Sequence, residues 1–545
     1  MANDVLVLAV TCPVLWGLWY LYDRSVTKSA IKGLPGPPSQ SFITGNLKQI
    51  FSYDGMSFHH MLPLRYGGVV QINALFGDQQ LYISDPRALH HILVKDQYVF
   101  EETSGFIASN RVIFGAGLLS SLGEQHRQQR KMLNPVFSPG HMRALVPIFY
   151  DLTEQLRDVL ARKVQSGEEE IDMLKWMSRA ALEFVGVGGL GYSFQALDEN
   201  VENVYGTATK QLLPALFTLL PFRPLWTLAD QTLPLWLRRI IVRHLPLKRV
   251  KKIRAIVDIM HNKSLEVYNK KKEALLAGDG AIGSQVGDGK DIMSTLLRAN
   301  MAAAEKDRLS EDELLGQMNT LIFAAHDTTS SALSRILYML SNDQERQERL
   351  RKEVTEARAE YGNLDYDKLM GLPYLDAICR ETLRLHAPST VQQRTARKDI
   401  SIPLSWPVTL TNGQTINELP VRDNQTVLVS IAGTNRSPLI WGEDAAEWRP
   451  ERWLEPLPDS VAAAKVPGVY SNLLTFIGGG RACIGFKFSE LEMKVILSVL
   501  VENFVFSPSK DEIVWRLSAV QIPCVKGREG DPPHMPMRLA LAKRS

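Results

Sequence analysis

A lone cysteine among glycines is the most chemically pointed feature of this chain, in TFIGGGRACIGFKFSEL from Thr475 to Leu491. Four chemistries ask for such a setting: a phosphate cradle, a nucleophilic thiol, a zinc corner and a haem thiolate. A Walker loop requires Lys-Ser or Lys-Thr after its glycines, and none follows here. A dinucleotide fingerprint begun at Gly478 reaches Cys483 where its last glycine belongs. Cys12, Cys379, Cys483 and Cys524 include no CxxC pair, which argues against a zinc ribbon or a redox dithiol. A nucleophilic cysteine needs a partner histidine, which sequence alone neither supplies nor excludes. The haem reading gives every position a task. Thiolate sulphur pushes electron density onto iron and favours O–O cleavage. Gly478, Gly479 and Gly480 would let backbone lie flat beneath a macrocycle, with Gly485 clearing the far side. Phe476 would exclude water from the sulphur, and Arg481 would pair with a haem propionate. From Phe486 to about Asn503 the pattern reads as an amphipathic helix. Its N-terminus would aim the positive end of its dipole at the sulphur and hold it deprotonated.

A second set of reactive side chains lies in LLGQMNTLIFAAHDTTSSALSRILYML. Ser310 and Glu313 form a capping box ahead of it, so a helix is expected. Asp327 and Thr328 are the residue types that carry and hold protons. Read alone, the paired threonines would more simply bond back to a carbonyl and bend the helix. Beside a haem thiolate, the proton relay is the stronger reading. His326 reads as a packed residue, not a ligand. Glu381 and Arg384, spaced i,i+3 in PYLDAICRETLRLHAPS, share a helix face. By themselves they would be an ordinary surface ion pair of little worth.

These residues need a scaffold, and the composition allows one. The chain has 545 residues, 45% hydrophobic and 22% charged, which is the balance of a folded globular protein. A net charge of +3 gives no bulk electrostatic support for binding nucleic acid. Four cysteines in so long a chain suit a reducing compartment. Residues 1–24 read as a transmembrane anchor, because Val5 to Tyr22 carries no charge and is long enough to span a bilayer. Aromatic rings close this run, and Arg24, Lys28 and Lys32 follow, so the positive-inside rule places the remainder in the cytosol. The acceptor sites at Asn262, Asn424 and Asn435 are then expected to stay unglycosylated. Residues 25–38 read as a basic, proline-rich linker, and 39–545 as one large domain. That domain reads as mainly α with small β-sheets. Strands are expected at Val69–Leu75, Gln80–Ser84, Thr426–Ile431 and Met537–Ala542, and a surface loop at Leu275–Asp291. Leu212 to Arg249 mixes apolar runs, prolines and arginines, and reads either as buried lid helices or as a shallow contact with the membrane surface.

Phe476-Ile-Gly-Gly-Gly-Arg481-Ala-Cys483-Ile-Gly485 resembles the FxxGxRxCxG signature of the cytochrome P450 monooxygenases. The resemblance continues in family order through nearly the whole chain after the anchor. Ala324-Ala325-His326-Asp327-Thr328-Thr329 is similar to the family's oxygen-side helix motif, with Ala325 where glycine is usual. There the family implies Thr328 and Asp327 as the proton relay. Glu381 and Arg384, with Arg452 of WRPERW, resemble the family's buried triad. GEQHRQQRKMLNPVF is similar to its early propionate-binding helix, which implies His126 and Arg130 as propionate partners, with Arg394 beyond the Glu381 helix as a third. The implied pocket is lined by Phe106, Ile107, Ile113, Phe114, Phe323, Ala324, Val391 and Val520, all apolar. The resemblance thus implies the cytochrome P450 fold and haem b held by Cys483 as axial ligand to iron. It implies a single-pass anchor in the endoplasmic reticulum membrane and a lipophilic substrate that takes up one oxygen atom from O2. NADPH-derived electrons would come from cytochrome P450 reductase, with cytochrome b5 as a second candidate donor, since the chain has no flavin module. Arg127, Lys131 and Lys487 could steer such an acidic donor. The closest flavour is that of fungal members in secondary metabolism, many of which decorate terpenoids. A haem-thiolate isomerase or dehydratase and a non-catalytic haem sensor are the alternatives.

Overall fold

The computed structural model describes residues 33–201, 203–217, 232–244, 247–277, 286 and 289–543. The expected anchor lies outside these residues, as does the linker up to residue 32. No described helix is long and apolar enough to cross a membrane. Helices dominate, and the described strands form small separate sheets, so the mainly α class expected from sequence is what is observed.

The axis of the helical body is Glu311–Ser341, 31 residues long. Its start is fixed by the capping box: the Ser310 side chain accepts from the Glu313 amide while the Glu313 side chain accepts from the Ser310 amide. Leu314, Met318, Ile322, Leu333, Ile336, Leu337 and Leu340 recur at helical spacing and are buried. They set the helix against Met173–Phe184, Lys248–Ala277, Pro373–Leu385 and Phe486–Asn503. One backbone-to-backbone approach sets the neighbouring loop: a Cβ on Gly316 would lie 2.4 Å from the Gly117 nitrogen, and one on Gly117 2.4 Å from the Gly316 oxygen. That contact brings the segment before helix Gly123–Leu133 onto the central helix.

The largest described sheet has five strands in the order Val69–Asn73, Gln79–Ile83, Thr426–Ser430, Val391–Ala396 and Phe100–Glu101. Val69 pairs antiparallel with Ile83, while Leu81 pairs parallel with Val427. All four expected strands are present within two residues at each end, the last as Pro536–Leu541. Others went unread. Ile400–Thr409 alternates Ile400, Ile402, Leu404, Trp406 and Val408 with polar or proline positions, but its two prolines argue against a strand, and its partner Thr415–Val421 is largely exposed. The expected surface loop at 275 begins later, since helix Lys248–Ala277 runs through its first three residues. Asn435 is 1% exposed and bonded through its side chain to Thr475 and Leu474, so it is closed to glycosylation whatever the topology.

The Glu381–Arg384 pair corrects the surface reading. Both side chains are fully buried, and Arg452 is 2% exposed. Arg384 spends every one of its five N–H donors. Nε and Nη2 grip the Glu381 carboxylate at 2.9 and 2.8 Å, and the rest go to the carbonyls of Asn435, Ala445 and Glu447. Arg452 reaches Glu381 at 3.4 Å but sits closer to Asp444, at 2.8 Å, a partner with no local sequence signal. A buried pair is worth most when neither partner is missing. Arg384→Met should therefore cost about 3–5 kcal/mol, read as a lower urea midpoint. An unchanged midpoint would contradict this account of the pair.

Candidate functional site

The loop carrying Cys483 is anchored to this charged core. Asn435 lends its carbonyl to Arg384 while its side chain accepts from the Leu474 amide at 2.8 Å and donates to Thr475 Oγ1 at 2.9 Å. Thr475 in turn donates to the Leu383 carbonyl at 2.8 Å. Eight residues on, the Cys483 amide donates to the Phe476 carbonyl at 2.9 Å, closing the loop on itself. Phe476 meets Tyr470 edge-on, with ring centres 5.3 Å apart, and Phe486 at 6.0 Å. Helix Phe486–Asn503 begins immediately beyond, capped by Gly485.

The glycines serve a different purpose from the one expected. A Cβ on Gly478 would strike the Pro467 carbonyl at 1.5 Å, and one on Gly479 the Leu93 carbonyl at 1.8 Å. Gly479 also has φ +70°, where side chains are strained. A Cβ on Gly480 would meet the Gln97 side chain at 2.5 Å, and one on Gly485 finds only ordinary contact with Phe137 at 3.8 Å. The first three glycines therefore admit neighbouring protein, and clearance for a macrocycle is not what fixes them.

Cys483 has accessible surface, yet desolvation dominates its surroundings, so the thiol faces interior space and not the outer surface. Burial pushes its pKa up, with a Gly485 amide bond and the Arg130 charge pulling against it. The helix end thus does not by itself keep the sulphur ionised, contrary to the sequence expectation; a bound metal cation would deprotonate it outright.

A cavity of about 650 Å³ is lined by Phe100, Glu101, His126, Arg130, Gly480 and Arg481, among others. Arg481 donates to the Ser121 carbonyl at 2.7 Å, and burial holds its pKa and that of Arg130 below the usual arginine range. Among the described residues neither has a carboxylate within ion-pair distance. Both are half-buried, and Arg481 feels Glu102 and Glu101 only from beyond ion-pair distance, so an anion in contact with the two guanidiniums would be favoured. His126 is pushed down to about 3 by burial and by the charges of Arg481 and Arg130, so it offers a hydrogen bond and no charge. Arg394 differs from its expected role: it is paired with buried Glu102 at 2.9 Å, which already neutralises it. Glu102 went unread because it lies 292 positions away. A sulphur ligand on an interior wall and unpaired arginines at the side fit a haem with its propionates at Arg130 and Arg481.

In the central helix, Ala324 is exposed although the turns before and after it are packed, so a small-residue face opens onto interior space. Thr328 Oγ1 donates to the Ala324 carbonyl at 2.6 Å, leaving its lone pairs to accept from the groove. This is the back-bond that the threonine pair alone suggested. Asp327 is raised to about 6 by burial, with Lys210 opposing, so it gains and loses a proton close to neutral pH. Lys210 was not foreseen, since only tertiary packing brings it near. His326 is buried and partnered, as expected of a packed residue.

Of the pocket candidates, Phe114 and Phe323 meet, ring centres 4.5 Å apart. Phe106 and Ile107 share helix Ser104–Phe114 with Ile113, which joins the main core. Val391 is half-buried on its strand of the five-stranded sheet and packs in part against a second, smaller core around Tyr82 and Leu428. Val520 opens strand Val520–Val525, whose Gln521 is tied to Ser331, Arg335, Ala387 and Pro388.

Burying a charge that could be neutral is costly, and Asp327 bears that cost above its folded pKa of about 6. Its folded value exceeds the unfolded one, so the penalty is full above pH 6 and fades as pH falls toward 4. Asp327→Asn should therefore raise stability at pH 7.5 by up to about 3 kcal/mol, with the gain shrinking between pH 6 and 4 in urea titrations. A gain independent of pH would contradict the assignment.

The family model for Cytochrome P450 matches residues 35–519. Cytochrome P450 monooxygenase 91 of Postia placenta is 49% identical over 542 residues, covering 99% of this chain and 100% of its own length. Cytochrome P450 monooxygenase 212 of the same fungus is 47% identical, covering 97% of each chain. Ganoderic acid synthetase CYP5150L8 of Ganoderma lucidum is 42% identical over 96% of each. The interior thiol, the unpaired arginines beside it and these full-length similarities agree: the chain belongs to the cytochrome P450 family.

Proposed function

We propose that this protein is a membrane-anchored monooxygenase that inserts one oxygen atom from O2 into a lipophilic secondary metabolite. The observation that carries the reading is Cys483, an accessible thiol whose ionisation the Arg130 charge favours, with neither Arg130 nor Arg481 in a direct ion pair among the described residues. Bound there and held by the Cys483 sulphur, haem b would supply O2 activation and C–H oxidation. Arg130, Arg481 and neutral His126 hold its propionate edge. Phe476 and Phe486 keep water from the sulphur. Asp327, titrating near 6, carries protons inward, and Thr328 receives and places them at the Ala324 groove.

Electrons come from NADPH through cytochrome P450 reductase. Residues 1–24 anchor the chain in the endoplasmic reticulum with residues 39–545 in the cytosol. A second, shallow membrane contact is supported by helix Leu235–His244, where Trp236, Ile240 and Ile241 are 62%, 48% and 41% exposed. The apolar Phe114–Phe323 stack supports a lipophilic substrate. The relative named for ganoderic acid supports fungal secondary metabolism, with terpenoids as the first substrates to try.

The test supplies reductase and NADPH with candidate sesqui-, di- and triterpenes, and reads product masses. Products heavier by one oxygen atom are expected, and oxygen consumption without oxidised product from any lipophilic class would count against the reading. In Thr328→Ala, product per NADPH should fall on the order of 10–100-fold while peroxide rises. Unchanged coupling would remove Thr328 from proton delivery.

A further inference from the structure

His326 precedes Asp327 on the central helix, and its ring reaches two neighbouring helices. It is 2% exposed. Nε2 lies 2.8 Å from Ser178 Oγ on helix Met173–Phe184. Nδ1 lies 3.2 Å from Thr209 Oγ1 on helix Val204–Lys210, and 3.8 Å from Asp327 Oδ1.

The Thr209 hydroxyl also lies 3.1 Å from the carbonyls of Tyr205 and Gly206. One ring nitrogen of a neutral imidazole donates and the other accepts, so Ser178 and Thr209 are each bonded to the same ring. Burial and the nearby Lys210 charge push the imidazole pKa down to about 3, against a bond to the Ser178 backbone, so the ring stays neutral. An aliphatic or phenyl side chain could fill the same volume. It would leave the Ser178 hydroxyl buried without this partner and would unfasten Thr209.

Thr209 is followed by Lys210, the charge that opposes the burial of Asp327. Lys210 itself feels Asp327, Asp172, Lys175 and Arg179. The helix that carries the cation and the helix that carries the acid are thus joined through one ring. We propose that His326 is a positioning residue, a neutral hydrogen-bond strap that fastens helix Val204–Lys210 and helix Met173–Phe184 to the central helix and so fixes where Asp327 stands relative to Lys210. Displacement of Val204–Lys210 is then transmitted to the acid. The part concerning proton delivery rests on the monooxygenase reading above; the strap itself does not.

The test compares the haem-loaded wild type with His326→Phe, which fills the space without the bonds, and His326→Gln, which retains a donor and an acceptor. Thr209→Val removes one strap alone and serves if His326→Phe does not fold. Hydrogen–deuterium exchange of amides 204–210 should quicken about tenfold in His326→Phe and Thr209→Val, with Phe486–Asn503 unaffected and His326→Gln close to wild type. During turnover with reductase, His326→Phe should raise peroxide per NADPH several-fold, and His326→Gln should restore coupling. Unchanged exchange at 204–210, or equal quickening throughout the protein, overturns the strap. Quickened exchange with unchanged peroxide overturns the positioning of Asp327. A wild type that oxidises no substrate would count against the monooxygenase reading, and the exchange result would still decide the strap.

Discussion

A sulphur atom enclosed in protein resists ionisation, and in this chain two groups work against that resistance: the amide of Gly485 and the guanidinium of Arg130. Neither outweighs burial, so the sulphur of Cys483 is arranged to ionise when a cation arrives. Much of the surrounding architecture can be understood as holding that sulphur in place without wetting it. The Phe476 carbonyl takes the Cys483 amide, aromatic rings pack behind it, and helix Phe486–Asn503 starts one turn further on. Arg130 and Arg481, half-buried and without a direct ion pair among the described residues, give the site a cationic edge.

Rigidity is delivered from a distance. Glu381 and Arg384 are buried without access to water, and each donor of Arg384 ends on an acceptor. Through Asn435 this knot reaches Leu474 and Thr475, where the cysteine loop begins. On the opposite side the capping box starts the central helix, and the Gly117–Gly316 contact seats the loop leading to His126 and Arg130. A ligand sulphur and a cationic edge are thereby placed by two separate long-range contacts, and the helix of the proton-carrying acid is started by a local cap. Loop chemistry alone could not hold them so.

The legible parts of the sequence were those with local rules. The capping box, the bounds of the helix after Cys483, four strands and the cysteine motif each follow from spacing within about ten residues, though that helix is buried on every face from Leu491 to Val501 and is not amphipathic. What escaped was contact between distant positions. Glu102 takes Arg394, Asp444 takes Arg452, and Lys210 sits by Asp327, and none of these pairings has a spacing to read. The glycines of the motif were legible as a requirement but not in their cause, because Pro467 and Leu93, which they admit, come from elsewhere in the chain.

The account stands on coordination of iron by Cys483, and light absorption reports that bond directly. Haem-loaded protein, reduced and exposed to carbon monoxide, should show the strongly red-shifted Soret band that a thiolate opposite the gas produces. A band at the position given by a nitrogen ligand or by neutral thiol, in freshly prepared active protein, would contradict the assignment and with it the chemistry built on it.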